Sequence, residues 1–294
     1  MGGKMNILVT GANGQLGREL RLLAQASAHR FLFTDITELP GLPVQRLDVL
    51  DAAAVGAIVQ KEAVELIINC AAWTDVERAE DEPEAAMRLN AQAPANLAQA
   101  ALRSGATLIH ISTDYVFSGS GCTPLSEHDA PAPLSVYGKT KLAGEEAVRS
   151  SGCKAIILRT AWLYSPFGKN FVKTMLRLTA ERERLDVVFD QTGSPTAAID
   201  LAAAILRIVD SGQLHKCGTY HYTDEGVTTW YDFARTIAAA AGHTCDIRPC
   251  RSDQFPVKAV RPHYGVLDKR LFRETFGFQL PWWPDSLKKC LDRL

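Results

Sequence analysis

Short apolar runs, mostly β-branched, alternate along the chain with longer stretches whose apolar positions recur every three or four residues. Residues 6–10 carry Ile7-Leu8-Val9 and predict a strand. In 15–26, Leu16, Leu20, Leu22 and Leu23 fall on helical spacing. Phe31-Leu32-Phe33 predicts a second strand, 52–62 a helix, and Leu66-Ile67-Ile68 a buried strand. Residues 83–103 read as one long Ala-rich helix with Pro83 in its first turn. Strand, helix and strand follow at 107–111, 136–150 and 155–158. This alternation implies an α/β fold, a doubly wound parallel sheet of Rossmann type covered by helices on both faces.

After Tyr164 the rhythm loosens. Val187-Val188-Phe189 reads as a strand and 199–209 as a helix, and both are expected to belong to the sheet. The pattern therefore predicts a dinucleotide-binding domain over 1–165, completed by 185–213. A smaller C-terminal substrate-binding lobe is expected within 166–294, where Pro, Trp and Arg become more frequent. The connection 112–135 is longer than a packed domain needs, and long loops are often functional.

The 294 residues are 47% hydrophobic, enough to fill a substantial core, and the formal charge is -1. No global field recruits nucleic acid or an anionic membrane, so neither is expected as a partner. An anionic ligand must be met by local groups. Met1-Gly2-Gly3-Lys4 runs straight into the first strand without the apolar stretch of a secretory signal, and a cytoplasmic location is expected. Seven cysteines, scattered and without a Cys-x-x-Cys pair, suggest neither a disulfide framework nor a zinc site.

Gly11-Ala12-Asn13-Gly14-Gln15-Leu16-Gly17 lies between the first strand and the first helix. Glycines are needed there because backbone N–H groups must approach a pyrophosphate closely at a positive helix end. Asp35 follows the second strand, at the distance where a carboxylate reaches the adenosine ribose. It accepts from both hydroxyls and repels a 2′-phosphate, which argues that NADH is accepted.

Tyr137 and Lys141 are four residues apart on a predicted helix and share one face. A nearby ammonium lowers the pKa of a phenol, and a phenol so tuned can protonate a carbonyl oxygen as hydride reaches the carbon. Ser112-Thr113-Asp114 follows the fifth strand, at the carboxyl edge where such sheets bind ligands, so Ser112 or Thr113 can donate to the same oxygen.

With these residues the chain resembles the extended short-chain dehydrogenase/reductase superfamily, and within it the branch that reduces 4-keto sugar nucleotides. The similar stretches are 69–80 (Asn69 to Glu80), 136–143, Arg159-Thr160-Ala161-Trp162, 190–196 and Arg261-Pro262, nearly end to end. The resemblance implies reduction of the C4 ketone of dTDP-4-dehydro-L-rhamnose by NADPH or NADH. It places Gly14, Gln15 and Leu16 on the pyrophosphate, Asp35, Asp48 and Val49 on the adenosine half, and Ala72, Trp73 and Thr74 along the cofactor cleft. Thr113 and Asp114 match its substrate-contacting pair. Trp162 matches an indole packed on the sugar nucleotide, and Arg261 is assigned to the diphosphate.

The chain departs from the pattern at Cys70 and Trp73, and Trp73 narrows the cleft or changes substrate fit. Some relatives dimerise through magnesium held by carboxylates, one at the place of Glu19. A homodimer is therefore left open here, and no metal is assigned. Two other readings remain. A 4,6-dehydratase or 4-epimerase uses the same scaffold, but dehydration calls for Asp-Glu after the Thr, where this chain has Asp114-Tyr115. A non-catalytic regulatory subunit, like that of methionine adenosyltransferase, has no need of Tyr137, Lys141 and Thr113 together.

Overall fold

A computed structural model of the chain describes residues 3–255 and 257–294. Met1 and Gly2, where the chain was expected to run straight into the first strand, lie outside the described residues. The first half alternates as β1 (Asn6–Thr10), α1 (Gln15–Ala24), β2 (Arg30–Asp35), β3 (Gln45–Arg46), α2 (Ala52–Lys61), β4 (Leu66–Asn69), α3 (Val76–Asp81), α4 (Pro83–Met87), α5 (Ala93–Ser104), β5 (Thr107–Thr113), α6 (Val136–Ser150) and β6 (Lys154–Thr160). The second half continues as β7 (Leu163–Tyr164), α7 (Phe171–Glu181), β8 (Arg184–Val188), β9 (Thr192–Gly193), β10 (Thr196–Ala197), α8 (Ala198–Asp210), β11 (Gly218–His221), β12 (Thr228–Thr229), α9 (Trp230–Ala240), β13 (Asp246–Cys250), α10 (Arg270–Phe276) and α11 (Trp283–Leu291).

Seven strands form one sheet in the order β3-β2-β1-β4-β5-β6-β11, and every pairing in it is parallel. Alternate residues of each strand face opposite layers. Ile7 and Val9 pack with Ile68 and Ile109 against α1 and α8, while Leu8 packs with Ile67 and Leu108 against α2 and α5. Both faces are thus buried, which is why these strands read as continuous apolar runs. No described helix is long and apolar enough to cross a membrane.

Three differences from the sequence reading have physical causes. The stretch 83–103 is helical throughout but not one regular α-helix: α4 ends at Met87, a wide π-type turn spans Arg88–Gln92, and α5 follows. Pro94 has no N–H to return to Asn90, so the ladder cannot run through unbroken. The segment 185–213 divides between the lobes. Its helix, α8, packs on α1 and completes the layer over the sheet. Its strand, β8, corrects the expectation, because it pairs with β13 in the second lobe instead of joining the sheet. The edge strand beside β6 is β11, whose Gly218-Thr219-Tyr220-His221 carries no apolar run. The second lobe has its own core, with Tyr164, Val172, Phe233, Ile237 and Trp283 among its buried residues.

Candidate active site

The turn from β1 into α1 shows why it needs glycine. Gly11 has φ +61, and a Cβ there would lie 2.6 Å from the Ala71 nitrogen. A Cβ on Gly17 would lie 2.5 Å from the Gly11 oxygen. Gly14 is the N-cap of α1 and brings no side chain to the first-turn N–H groups. An uncapped helix N-terminus is a ready anion site, so the pyrophosphate of a dinucleotide fits here. Gln15 and Leu16 offer only backbone: the Gln15 oxygen accepts from Ser165 Oγ at 3.2 Å and Asn170 Nδ2 at 3.0 Å, and Leu16 is buried in the core.

A groove of about 420 Å³ opens from this turn along the carboxyl ends of β2 and β4. Gly11, Gly14, Asp35, Asp48, Val49, Ala72 and Trp73 line it, gathering residues that are far apart in the sequence. Thr74 is exposed and outside this lining. Asp35 also stabilises the turn, accepting from Asn13 N at 3.0 Å and from Thr37 N and Oγ1 at 3.1 and 2.9 Å. Arg88 and Leu89 close the groove from the π-type turn, which a straight helix would have aimed elsewhere. Sequence reasoning missed both.

The pair expected to be catalytic, Tyr137 and Lys141, stands on α6. Ser135 caps it, accepting from Gly138 N at 3.1 Å, and Gly138 abuts the Tyr115 carbonyl with no room for a Cβ. That close approach brings Tyr137 edge-on to Tyr115, ring centroids 5.3 Å apart. Burial pushes the Tyr137 phenol up to about 12, against a smaller opposing pull from the Thr113 hydroxyl. Lys141 Nζ donates to the Ile111 carbonyl at 2.6 Å, and burial pushes it down to about 8 against the pull of Glu145. The expected lowering of the phenol by Lys141 is therefore corrected: Lys141 is bonded to the Ile111 carbonyl and is not among the groups that shift Tyr137, whose direction burial sets. A neutral phenol is nevertheless the form a general acid requires.

Behind the pair lies an ionic cluster that no motif announced. Glu145 is wholly buried and meets Arg159 in two bonds of 2.8 and 2.7 Å, with Arg149 at 3.0 Å. Ser112 donates to the same carboxylate at 2.5 Å, so its one proton is engaged, and Thr113 must turn its own away from Asp114 to reach a substrate. Thr113 Oγ1 donates to Asp114 at 3.0 Å and accepts from Tyr115 N at 3.2 Å. Burial pushes Asp114 up to about 7. Asn90, buried in the π-type turn, bonds both backbone groups of Trp73 at 2.8 and 3.1 Å and Thr140 at 3.1 Å. It ties the groove wall to the catalytic helix.

Residues 5–294 match the family described as RmlD substrate binding domain. The dTDP-4-dehydrorhamnose reductase of Escherichia coli K12 is 40% identical over 304 residues, covering 99% of this chain and 98% of the relative. A solved dTDP-4-dehydrorhamnose reductase from Clostridium acetobutylicum superposes with a TM-score of 0.92 at 41% identity, covering 98% of this chain and 99% of that one. The Bacillus anthracis enzyme, solved in complex with NADP, gives 0.92 at 36% identity over 99% of this chain and all of its own (100%).

The chain belongs to the RmlD substrate-binding family.

In this RmlD-family protein the residues assigned to the substrate sit less simply than those of the groove. Trp162 has φ +49 and stacks on Trp230, centroids 3.5 Å apart and planes 10° from parallel. Gly193 lies against the indole edge, where a Cβ would come within 2.7 Å of Cε2. One indole face is thus already covered by protein, which a sugar cannot share. Arg261 pairs with Glu77 at 2.8 Å and borders a second cavity, of about 400 Å³, with Phe171, Gln191 and Trp230. Glu19 meets Arg293 in bonds of 3.0 and 2.9 Å and is wholly buried.

Proposed function

We propose that this chain reduces the C4 ketone of dTDP-4-dehydro-L-rhamnose to dTDP-L-rhamnose, using NADPH or NADH. The observation that carries the reading is the neutral Tyr137 phenol, with Thr113 beside it and Lys141 one turn on, on a helix tied through Asn90 to the wall of the dinucleotide groove. The names of the relatives support the substrate. Gly11, Gly14 and Gly17 shape the pyrophosphate turn, where the N–H groups of Gln15 and Leu16 bind the charge. Asp35, Asp48 and Val49 hold the adenosine end, and Ala72, Trp73 and Thr74 border the nicotinamide end.

The bound cofactor supplies a hydride to C4. As charge grows on the C4 oxygen, Tyr137 gives its proton and Thr113 donates a hydrogen bond to the same atom. Lys141 orients the cofactor ribose. Asp114 contacts the sugar, Trp162 shapes its pocket from behind Trp230, and Arg261 meets the diphosphate. The apolar 400 Å³ cavity suits the nucleoside base. A coupled assay with dTDP-glucose, a 4,6-dehydratase and a 3,5-epimerase tests this by the loss of reduced nicotinamide. Consumption well beyond one equivalent per chain is expected. A cofactor retained and recycled would mark an epimerase or dehydratase instead, and no turnover a binding subunit.

A further inference from the structure

The cleft between the lobes is bridged by a clasp. Glu77, in the first turn of α3, accepts from the backbone N–H of Lys258 at 2.9 Å and of Ala259 at 3.4 Å through one oxygen. Its other oxygen accepts from Arg261 Nη2 at 2.8 Å. Asp81, one turn further along α3, meets Lys258 Nζ at 2.6 and 2.7 Å. The segment 258–261 of the second lobe is thereby fixed to the helix that follows the groove residues Ala72 and Trp73.

Arg261 carries the clasp into the site. Its positive charge acts on the phenol of Tyr115, the ring that packs edge-on against Tyr137. Its Nε is buried and has no hydrogen-bond partner among the described residues, and the side chain borders the 400 Å³ cavity. A buried charged donor left unpaired is costly until an acceptor arrives. Phosphate oxygens are acceptors whose geometry matches a guanidinium fork.

We propose that Glu77 is a positioning residue for the substrate: it holds Arg261 across the cleft with Nε free for a phosphate oxygen of the sugar nucleotide. The inference rests on the sugar-nucleotide reading above. Folding stability is not the clasp's main consequence, because its pairs are partly exposed (37% at Glu77, 64% at Lys258) and such pairs contribute little. What the clasp fixes is the place of one guanidinium. Loss of Glu77 therefore acts on substrate binding and through Arg261.

The test is a double-variant cycle with Glu77→Ala, Arg261→Ala and their combination, together with Glu77→Gln, which keeps an acceptor for the two backbone N–H groups. Glu77→Ala is expected to raise KM for the sugar nucleotide about tenfold, with kcat within about threefold and the cofactor KM within about twofold. Glu77→Gln falls between it and the parent. Arg261→Ala raises KM at least as much, and adding Glu77→Ala to it changes little, because the two act as one unit. Multiplying effects in the combined variant would overturn the proposal, as would a cofactor KM rising in step with that of the substrate. Calorimetric titration with dTDP separates the two readings. If the parent protein binds no dTDP, the substrate reading falls and takes the clasp with it. If the parent binds dTDP and Glu77→Ala binds it equally well, the clasp alone is overturned.

Discussion

Tyr137 and Lys141 share a helical face, yet burial moves them in opposite directions, the phenol up to about 12 and the ammonium down to about 8. Each shift favours the neutral form, as desolvation does. Tyr137 therefore holds its proton throughout the working range, and Tyr137→Phe removes the donor at almost no cost in volume. Its kcat is expected to fall by roughly 10²–10⁴ while cofactor affinity and melting temperature hold, measured by steady-state kinetics and titration. Near-normal turnover would mean that the proton comes from another group. An alkaline limb of kcat/KM is expected to follow Lys141 rather than Tyr137. Its ammonium is present below a pKa of about 8 and is lost as pH rises through it. A decline above about pH 8 is expected in the pH profile, and Lys141→Arg, which stays charged, should move it upward. A limb unmoved by that substitution belongs elsewhere. The spacing of Tyr137 and Lys141 was legible in the sequence. Their pKa values were not, because desolvation depends on what packs around them, and nothing in the string announced that Ser112 would be claimed by Glu145.

Among the elements, α6 was legible to the residue because it is amphipathic, starts at a Ser cap and contains no proline. Its neighbour was not. The Ala-rich composition of 83–103 favours helix so strongly that it masks Pro94 and the resulting π-type turn. That turn projects the Asn90 carbonyl onto Gly144 of α6, where there is no room for a Cβ, and it turns the Asn90 side chain onto Trp73 and Thr140. The irregular turn thus sets the distance between the groove wall and the catalytic helix. Gly144→Ala is expected to force α6 away from Asn90 at a cost of about 1–3 kcal/mol, seen as a lower melting temperature, and to reduce kcat with it. An unchanged melting temperature would show that the π-type turn yields freely and does not set the spacing. Short strands were legible only where they are apolar. Buried His221 and the polar residues of β11 gave no periodicity, although β11 closes the sheet.

For the whole molecule, the parallel, helix-covered sheet was legible in the alternation, whereas its strand order and the partition into lobes were not. Pairing partners such as β8 and β13 lie about sixty residues apart, and no local pattern links them. Side-chain contacts tie distant segments to one another: Gln15 with Ser165 and Asn170, Glu77 with Arg261, and Glu19 with Arg293. The last of these has the strongest energetic argument. Glu19 is wholly buried on α1, and Arg293 supplies both of its bonds from beyond α11, 31% exposed itself. Removing the guanidinium leaves a carboxylate buried without its partner, which costs more than the pair contributes when intact. Because water can reach the Arg293 end, the expected loss for Arg293→Ala is about 1–3 kcal/mol, below the range for a fully enclosed pair. Glu19→Gln with Arg293→Ala should recover part of it, since the combined variant buries no charge. Urea denaturation of the three variants measures the cycle. Equal losses in Arg293→Ala and the combined variant would show that Arg293 matters for its packing over Phe167 and not for the charge on Glu19.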